Sequence, residues 1–203
     1  VDDVAPSVQL WAADEMDEGA MVILTIEPAV DPGDDTVTSY RVTWSDGIEE
    51  IIAAPSPTSA GFVPSVYAYH RYANNGEYTV TVGVEDEDGV HNAVGERDII
   101  VVNTAPVVNA GPDQIAEEGQ PVTFGGSFTD AGPVDTHTIV WEFGDGSTAS
   151  GTLAPSHTYT HDGVYVVTLT VTDDDGSVGT GTLLITVADV GPTAAFTWTP
   201  ELQ

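Results

Sequence analysis

The run Trp141-Glu-Phe-Gly-Asp-Gly-Ser147, followed by His157-Thr-Tyr159, Gly163-Val-Tyr165 and Val171-Thr-Asp-Asp-Asp-Gly176, has a weathered counterpart earlier in the same chain. A shift of 100 lays Ala5-Pro6 on Ala105-Pro106 and Glu18-Gly19 on Glu118-Gly119. A shift of 87 lays Gly76-Glu-Tyr78-Thr-Val-Thr-Val82 on Gly163-Val-Tyr165-Val-Val-Thr-Leu169, and Asp86-Glu-Asp-Gly89 on Asp173-Asp-Asp-Gly176. The first copy therefore carries a longer middle. A solenoid repeats every 20–50 residues or so, so a period this long belongs to tandem units that each fold alone.

Each unit reads as all-β. Val122-Thr-Phe124, Thr138-Ile-Val-Trp-Glu-Phe143, Tyr165-Val-Val-Thr-Leu-Thr-Val171 and Leu183-Leu-Ile-Thr-Val187 are rich in β-branched and aromatic residues and alternate polar with apolar, as half-buried strands do. Turn residues separate them at Gly111-Pro-Asp113, Glu118-Gly119, Gly144-Asp-Gly146, Asp162-Gly163 and Asp175-Gly176. That spacing suits about seven short strands per unit, the pattern of a β-sandwich. Asp3-Val-Ala-Pro6, Asn103-Thr-Ala-Pro106 and Asp189-Val-Gly-Pro192 place an oxygen-bearing side chain three residues before a proline each time. These seams divide the chain into 1–102, 103–188 and, at 189–203, the opening of a third copy. The chain begins at Val1 with no leader pattern and reads as a piece of something longer.

Charge excludes several partners. Asp and Glu number 33 against three Lys and Arg, giving a formal net charge of −30, and lysine is absent. Arg41, Arg71 and Arg97 all lie in the first unit. Binding a phosphate backbone needs cationic side chains to displace counterions, so nucleic acid is not an expected partner. No basic membrane-surface patch and no apolar run of spanning length is present, so no direct membrane insertion is expected. With no cysteine there is no disulfide framework. Cations are the natural partners of such a surface.

The second unit resembles a PKD domain, an immunoglobulin-like β-sandwich. The resemblance rests on Trp141-Glu-Phe-Gly-Asp-Gly-Ser147, His157-Thr-Tyr159, Gly163-Val-Tyr165, the Val-Thr-Leu-Thr-Val run and Asp173-Asp-Asp-Gly176. The first unit is similar but divergent: Trp44-Ser-Asp-Gly47 stands where Trp-x-Phe-Gly-Asp-Gly is expected, and His70-Arg-Tyr72 follows a long insertion. Pro192-Thr-Ala-Ala-Phe-Thr-Trp198 is similar to a PKD first strand. Within this frame Trp141 reads as a core indole. Tyr78 and Tyr165 read as rings whose hydroxyls bond back to the preceding loop. His70 and His157 read as structural.

No nucleophile with a base, zinc motif, phosphate loop or serine elbow is found, and the chain reads as non-enzymatic. The carboxylates do recur at matching places. In the second unit these are Asn103, the loop Asp130-Ala-Gly-Pro-Val-Asp135, and Asp173 with Asp175; in the first they are Asp3, the loop Asp31-Pro-Gly-Asp34-Asp35, and Asp86 with Asp88. Hard cations such as Ca²⁺ take six to eight oxygens from groups of this kind. The resemblance implies that calcium is ligated from these three places in each repeat. Asp135 depends on a turn at Gly132-Pro133 to bring it back to Asp130. Glu18 and Glu118 read as turn residues that could also ligate. Solvated surface and salt adaptation are the competing readings of the same acidity.

The expectation is an extracellular or cell-surface structural module, a calcium-stiffened spacer or adhesive stalk whose partners are calcium ions and neighbouring repeats. The alternative is a substrate-binding accessory module of a secreted hydrolase, engaging a polysaccharide or protein polymer, or a cell-surface ligand, through exposed aromatics. Trp11, Tyr67, Tyr69 and Tyr72 are the candidates for that face.

Overall fold

The structure is a computed structural model that describes residues 5–31 and 36–191. Asp3, Asp34 and the opening of the third copy from Pro192 lie outside the described residues. The chain forms two compact units. One comprises Val1–Thr104 with Asp130–Asp135, the other Ala105–Thr129 with Thr136–Gln203.

In the first unit eight strands form two sheets: β1 Leu10–Trp11, β2 Glu15–Asp17, β3 Val22–Ile26, β4 Ser39–Trp44, β5 Glu49–Ala53, β6 Val66–His70, β7 Gly76–Glu85 and β8 Val90–Val102. One sheet has the order β2-β8-β7-β4-β5, the other β1-β3-β6. The short β2 runs parallel to β8, with Met16 opposite Val101; every other pairing is antiparallel. Alternation decides which face is buried. Val80, Val82 and Val84 of β7 meet Val22, Leu24 and Ile26 of β3, all at 2% exposure or less, around Trp44 and Tyr72.

The second unit repeats the plan with β9 Val107–Asn109, β10 Gln114–Glu117, β11 Pro121–Thr123, β12 Ser127–Thr129, β13 His137–Glu142, β14 Thr148–Ser150, β15 Ser156–Thr158, β16 Gly163–Asp173 and β17 Val178–Ala188. Its large sheet has the order β10-β17-β16-β13-β14, again with a parallel first strand, while β11-β15 and β12-β9 form the opposing layer. Val167, Leu169 and Val171 are fully buried beside Trp141, Phe124 and Phe143. Trp141 is 0% exposed and donates its indole N–H to Thr152 O at 3.1 Å. Burying an indole of this size stabilises the unit by roughly 4–6 kcal/mol relative to exposing it. The core role expected for Trp141 is what the structure shows.

The two conspicuous tryptophans are not equivalent. Trp44 N donates to Ile48 O across the turn at Asp46-Gly47, as Phe143 N donates to Ser147 O across Asp145-Gly146. Trp44 stacks on His70 at 4.7 Å, and Phe143 stacks on His157 at 4.3 Å. The first repeat therefore keeps the turn and its aromatic but has Val42 where the second has Trp141. Tyr78 Oη donates to Asn74 O at 2.9 Å and Tyr165 Oη to His161 O at 3.0 Å, the loop tether expected of both.

Candidate metal centre

Glu18 directly follows β2, its N–H donating to Val102 O at 3.0 Å while the N–H of Gly19 donates to Tyr72 O at 3.0 Å. This turn holds Glu18 at 1% exposure. Gly19 has φ +66°, and a Cβ on it would stand 2.3 Å from Ala131 O. Glycine is required here on both counts, by backbone conformation and by the closeness of the Asp130–Asp135 loop.

That loop closes on itself. Asp130 Oδ1 accepts the N–H of Gly132 at 3.3 Å, and the N–H of Asp135 donates to Gly132 O at 3.4 Å. A Cβ on Gly132 would lie 2.1 Å from Asp135 Oδ2. The turn at Gly132-Pro133 thus folds the Asp135 carboxylate back beside Asp130. Carboxylate oxygens of Glu18, Asp130 and Asp135 all lie within 4.8 Å of one another, one member buried and two half-buried.

Carboxylates so close repel by roughly 3–4 kcal/mol per ionised pair at an effective dielectric constant near 20. A divalent cation removes that cost. Oxygens bound to Ca²⁺ at about 2.3–2.6 Å can stand about 5 Å apart on opposite sides of the ion, so three carboxylates this close can share one ion. The set is all oxygen, which suits a hard cation; backbone carbonyls and water would complete six to eight ligands. Glu18 Oε1 also accepts the N–H of Thr104 at 2.9 Å, which ties the group to the segment that carries Asn103. Asn103 itself is half-buried.

The other described sequence candidates lie at the end of β16 and in the first repeat. Asp173, at the end of β16, is 5% exposed and its Oδ1 accepts the N–H of Ser177 at 2.8 Å; Asp175 is exposed in the turn that follows. In the first repeat Asp86 is 7% exposed. Its Oδ1 accepts the N–H groups of Asp88 and Gly89, both at 3.0 Å, and its Oδ2 lies 2.9 Å from His91 Nε2. The Asp86 carboxylate is thus engaged by its own turn and an imidazole, and Asp88 is exposed. Asp31 is half-buried. Among the described residues, Asp31, Asp86 and Asp88 join no group of three potential ligands within 4.8 Å.

Glu18 was visible in the sequence as half of a matched Glu-Gly pair, and its partner Glu118 has the same local role. Glu118 Oε1 accepts the N–H of Val190 at 3.3 Å, two residues past β17, as Glu18 accepts Thr104 two residues past β8. What the pattern lacked was any sign of burial. The His–Asp pairs were missed altogether: His157 Nε2 and Asp145 Oδ2 are 2.7 Å apart, as are His70 Nε2 and Asp46 Oδ2. The recurring interval between Gly-flanked Asp and His was too elastic to see, because the first copy's insertion falls inside it.

Residues 3–102 and 103–187 each match the family model of the PKD domain. A microbial collagenase of Vibrio alginolyticus is 32% identical over 92 residues, which is 45% of this chain and 11% of the collagenase, so the chain spans only a small part of that relative. The PKD1 domain of Vibrio anguillarum Epp is 34% identical, with 44% of this chain and 100% of that domain covered and a TM-score of 0.36. The PKD1 domain of the Vibrio cholerae metalloprotease PrtV is 32% identical, covering 41% of this chain and 98% of that domain with a TM-score of 0.32.

Proposed function

Because this chain belongs to the PKD domain family and carries two copies in tandem, we propose that it is a non-catalytic accessory module of a larger extracellular protein, a spacer that calcium makes stiffer. The observation that carries the calcium is the meeting of Glu18, Asp130 and Asp135, a buried carboxylate with two half-buried ones, in a chain of net charge −30. An ion bound there would neutralise the three groups. It would also hold the Asp130–Asp135 loop against the β2 turn and, through Glu18 and Thr104, restrict the segment that leaves β8. The relative named as a collagenase supports a parent protein that is a hydrolase acting outside the cell. In such a protein the module would hold or position a catalytic domain rather than perform chemistry.

Melting the same preparation in EDTA, in millimolar Ca²⁺ and in concentrated KCl tests this reading. Ligand that binds only the folded state stabilises by RT ln(1 + [L]/Kd). The proposal expects a rise of several degrees with calcium that KCl does not reproduce. A rise with KCl alone would reduce the acidity to salt adaptation and remove the metal from the account.

A further inference from the structure

We infer that Asn75-Gly76 is a self-modification site: without an enzyme, the Asn75 side chain closes on the Gly76 backbone nitrogen, and the residue converts to aspartate and isoaspartate. The inference is independent of the calcium and of the accessory-module reading.

The chemistry needs only water. The Gly76 nitrogen attacks Asn75 Cγ, a five-membered succinimide closes, and the side-chain nitrogen leaves as ammonia with the proton that Gly76 gave up. Water then adds to one of the two ring carbonyl carbons and breaks its bond to nitrogen. Breaking the bond to Cγ leaves aspartate. Breaking the bond to the main-chain carbonyl leaves isoaspartate, in which the chain runs through Cβ and is one methylene longer.

Sequence and fold converge on this dipeptide. The asparagines are Asn74, Asn75, Asn92, Asn103 and Asn109, and Asn75 alone precedes a glycine. After the others, the Cβ of the following residue crowds the attacking nitrogen. Asn74 is further restrained, its Oδ1 accepting the N–H of Asn75 at 3.0 Å, and Asn109 Oδ1 accepts the N–H of Gly111 at 2.9 Å. The Asn75 carboxamide makes no hydrogen bond among the described residues. Asn75 is half-buried and Gly76 exposed. Gly76 opens β7, and its pairing with Val101 ends the β7-β8 ladder, where local opening costs least.

The fold holds glycine at this position. Gly76 has φ +147°, in the region that favours glycine, and a Cβ on it would lie 3.4 Å from the Tyr78 ring. The second repeat builds the same turn with Gly163 at φ +149° and with Asp162 in place of Asn75. There Tyr165 Oη donates to His161 O at 3.0 Å, as Tyr78 Oη donates to Asn74 O at 2.9 Å. Aspartate, one of the two products, is therefore a residue this turn accommodates. Isoaspartate is not: its extra methylene falls inside the loop that the Tyr78–Asn74 bond closes, beside the stack of Tyr78 on Tyr72 at 3.7 Å. One route adds only a carboxylate to the first unit, and the other also displaces its tyrosine tether.

Peptide mapping by mass spectrometry after incubation of the 203-residue chain in mildly alkaline buffer tests this, beside Asn75→Gln and Asn75→Asp variants and a sample kept unfolded in urea. The expected result is a gain of about 1 Da in the peptide that carries Asn75, at least tenfold faster in the native chain than at any other asparagine, with most ammonia release lost in Asn75→Gln. Asn75→Asp should melt with fresh wild type, and the isoaspartate-containing fraction should melt lower. Conversion at Asn75 in urea but not in the native chain would show that the ladder end shields Gly76 and would overturn the inference. Conversion spread evenly over the asparagines, or equal ammonia release by wild type and Asn75→Gln, would overturn it too. An isoaspartate fraction that melts with fresh wild type would overturn the displacement of the tether.

Discussion

His157 Nε2 lies 2.7 Å from Asp145 Oδ2, and the imidazole is stacked on Phe143 with an interplanar angle of 4°. The pair joins β15 to the turn between β13 and β14, and His70, Asp46 and Trp44 reproduce it in the first repeat. Both carboxylates remain partly exposed, which moderates the gain. Replacing His157 by Ala removes a hydrogen bond to a charged group together with a ring contact. We expect a loss of about 1–2 kcal/mol and a calorimetric melting temperature several degrees lower for the second unit; an unchanged transition would show the clasp to be idle.

The same pair gives the unit an acid limit. Burial pushes the Asp145 carboxyl up, but hydrogen bonds from His157 and Ser147 and the nearby imidazole charge outweigh it and hold the pKa below its ordinary 3.8. A carboxylate depressed in the folded state contributes stability above its unfolded pKa, and this is lost as pH falls through the folded value. Asp145→Asn should therefore flatten the fall in stability below about pH 4, measured by denaturant unfolding at a series of pH values.

Tyr159 sets a limit at the other end. Burial, then the charges of Asp145 and Tyr165, raise its hydroxyl to about 12, and its Oη donates to Phe143 O at 3.0 Å. A raised folded pKa contributes stability that is complete below the unfolded value near 10 and is lost as pH rises toward 12. Ultraviolet titration should show the ionisation of Tyr159 coinciding with unfolding. Tyr159→Phe should remove that component.

Gly132→Ala addresses the acidic loop without touching a carboxylate. The added methyl would come within 2.1 Å of Asp135 Oδ2 and must displace it from Asp130 and Glu18. The expected result is a calcium-dependent melting shift reduced by half or more, with melting in EDTA nearly unchanged because the loop is not in either core. An undiminished shift would place the ion elsewhere.

Much of this was legible in the sequence because it is local. Alternation of Val and Thr in residues 163–173 gave β16, and Gly-flanked turns gave its neighbours. The tyrosine tethers were legible because each hydroxyl reaches only four residues back. Burial and long-range approach were not. Glu18 reads as a surface turn until Ala131 is seen against Gly19, a contact between residues more than a hundred positions apart. Asp86 matched Asp173 in sequence, yet His91, at a position with no counterpart histidine in the second copy, engages it in the fold. The exposed aromatics were half visible: candidate rings can be named from the sequence, but the shared row of Trp11 and Tyr67, both opposite Thr25, is set by strand register.

Calcium titration by isothermal calorimetry of the wild-type chain beside Glu18→Gln tests the central claim most directly. Glutamine keeps the acceptor for the Thr104 N–H and removes only the charge. The account predicts saturable binding by the wild type, weakened at least tenfold in the variant. Equal binding by the two proteins, or none by the wild type, would contradict it.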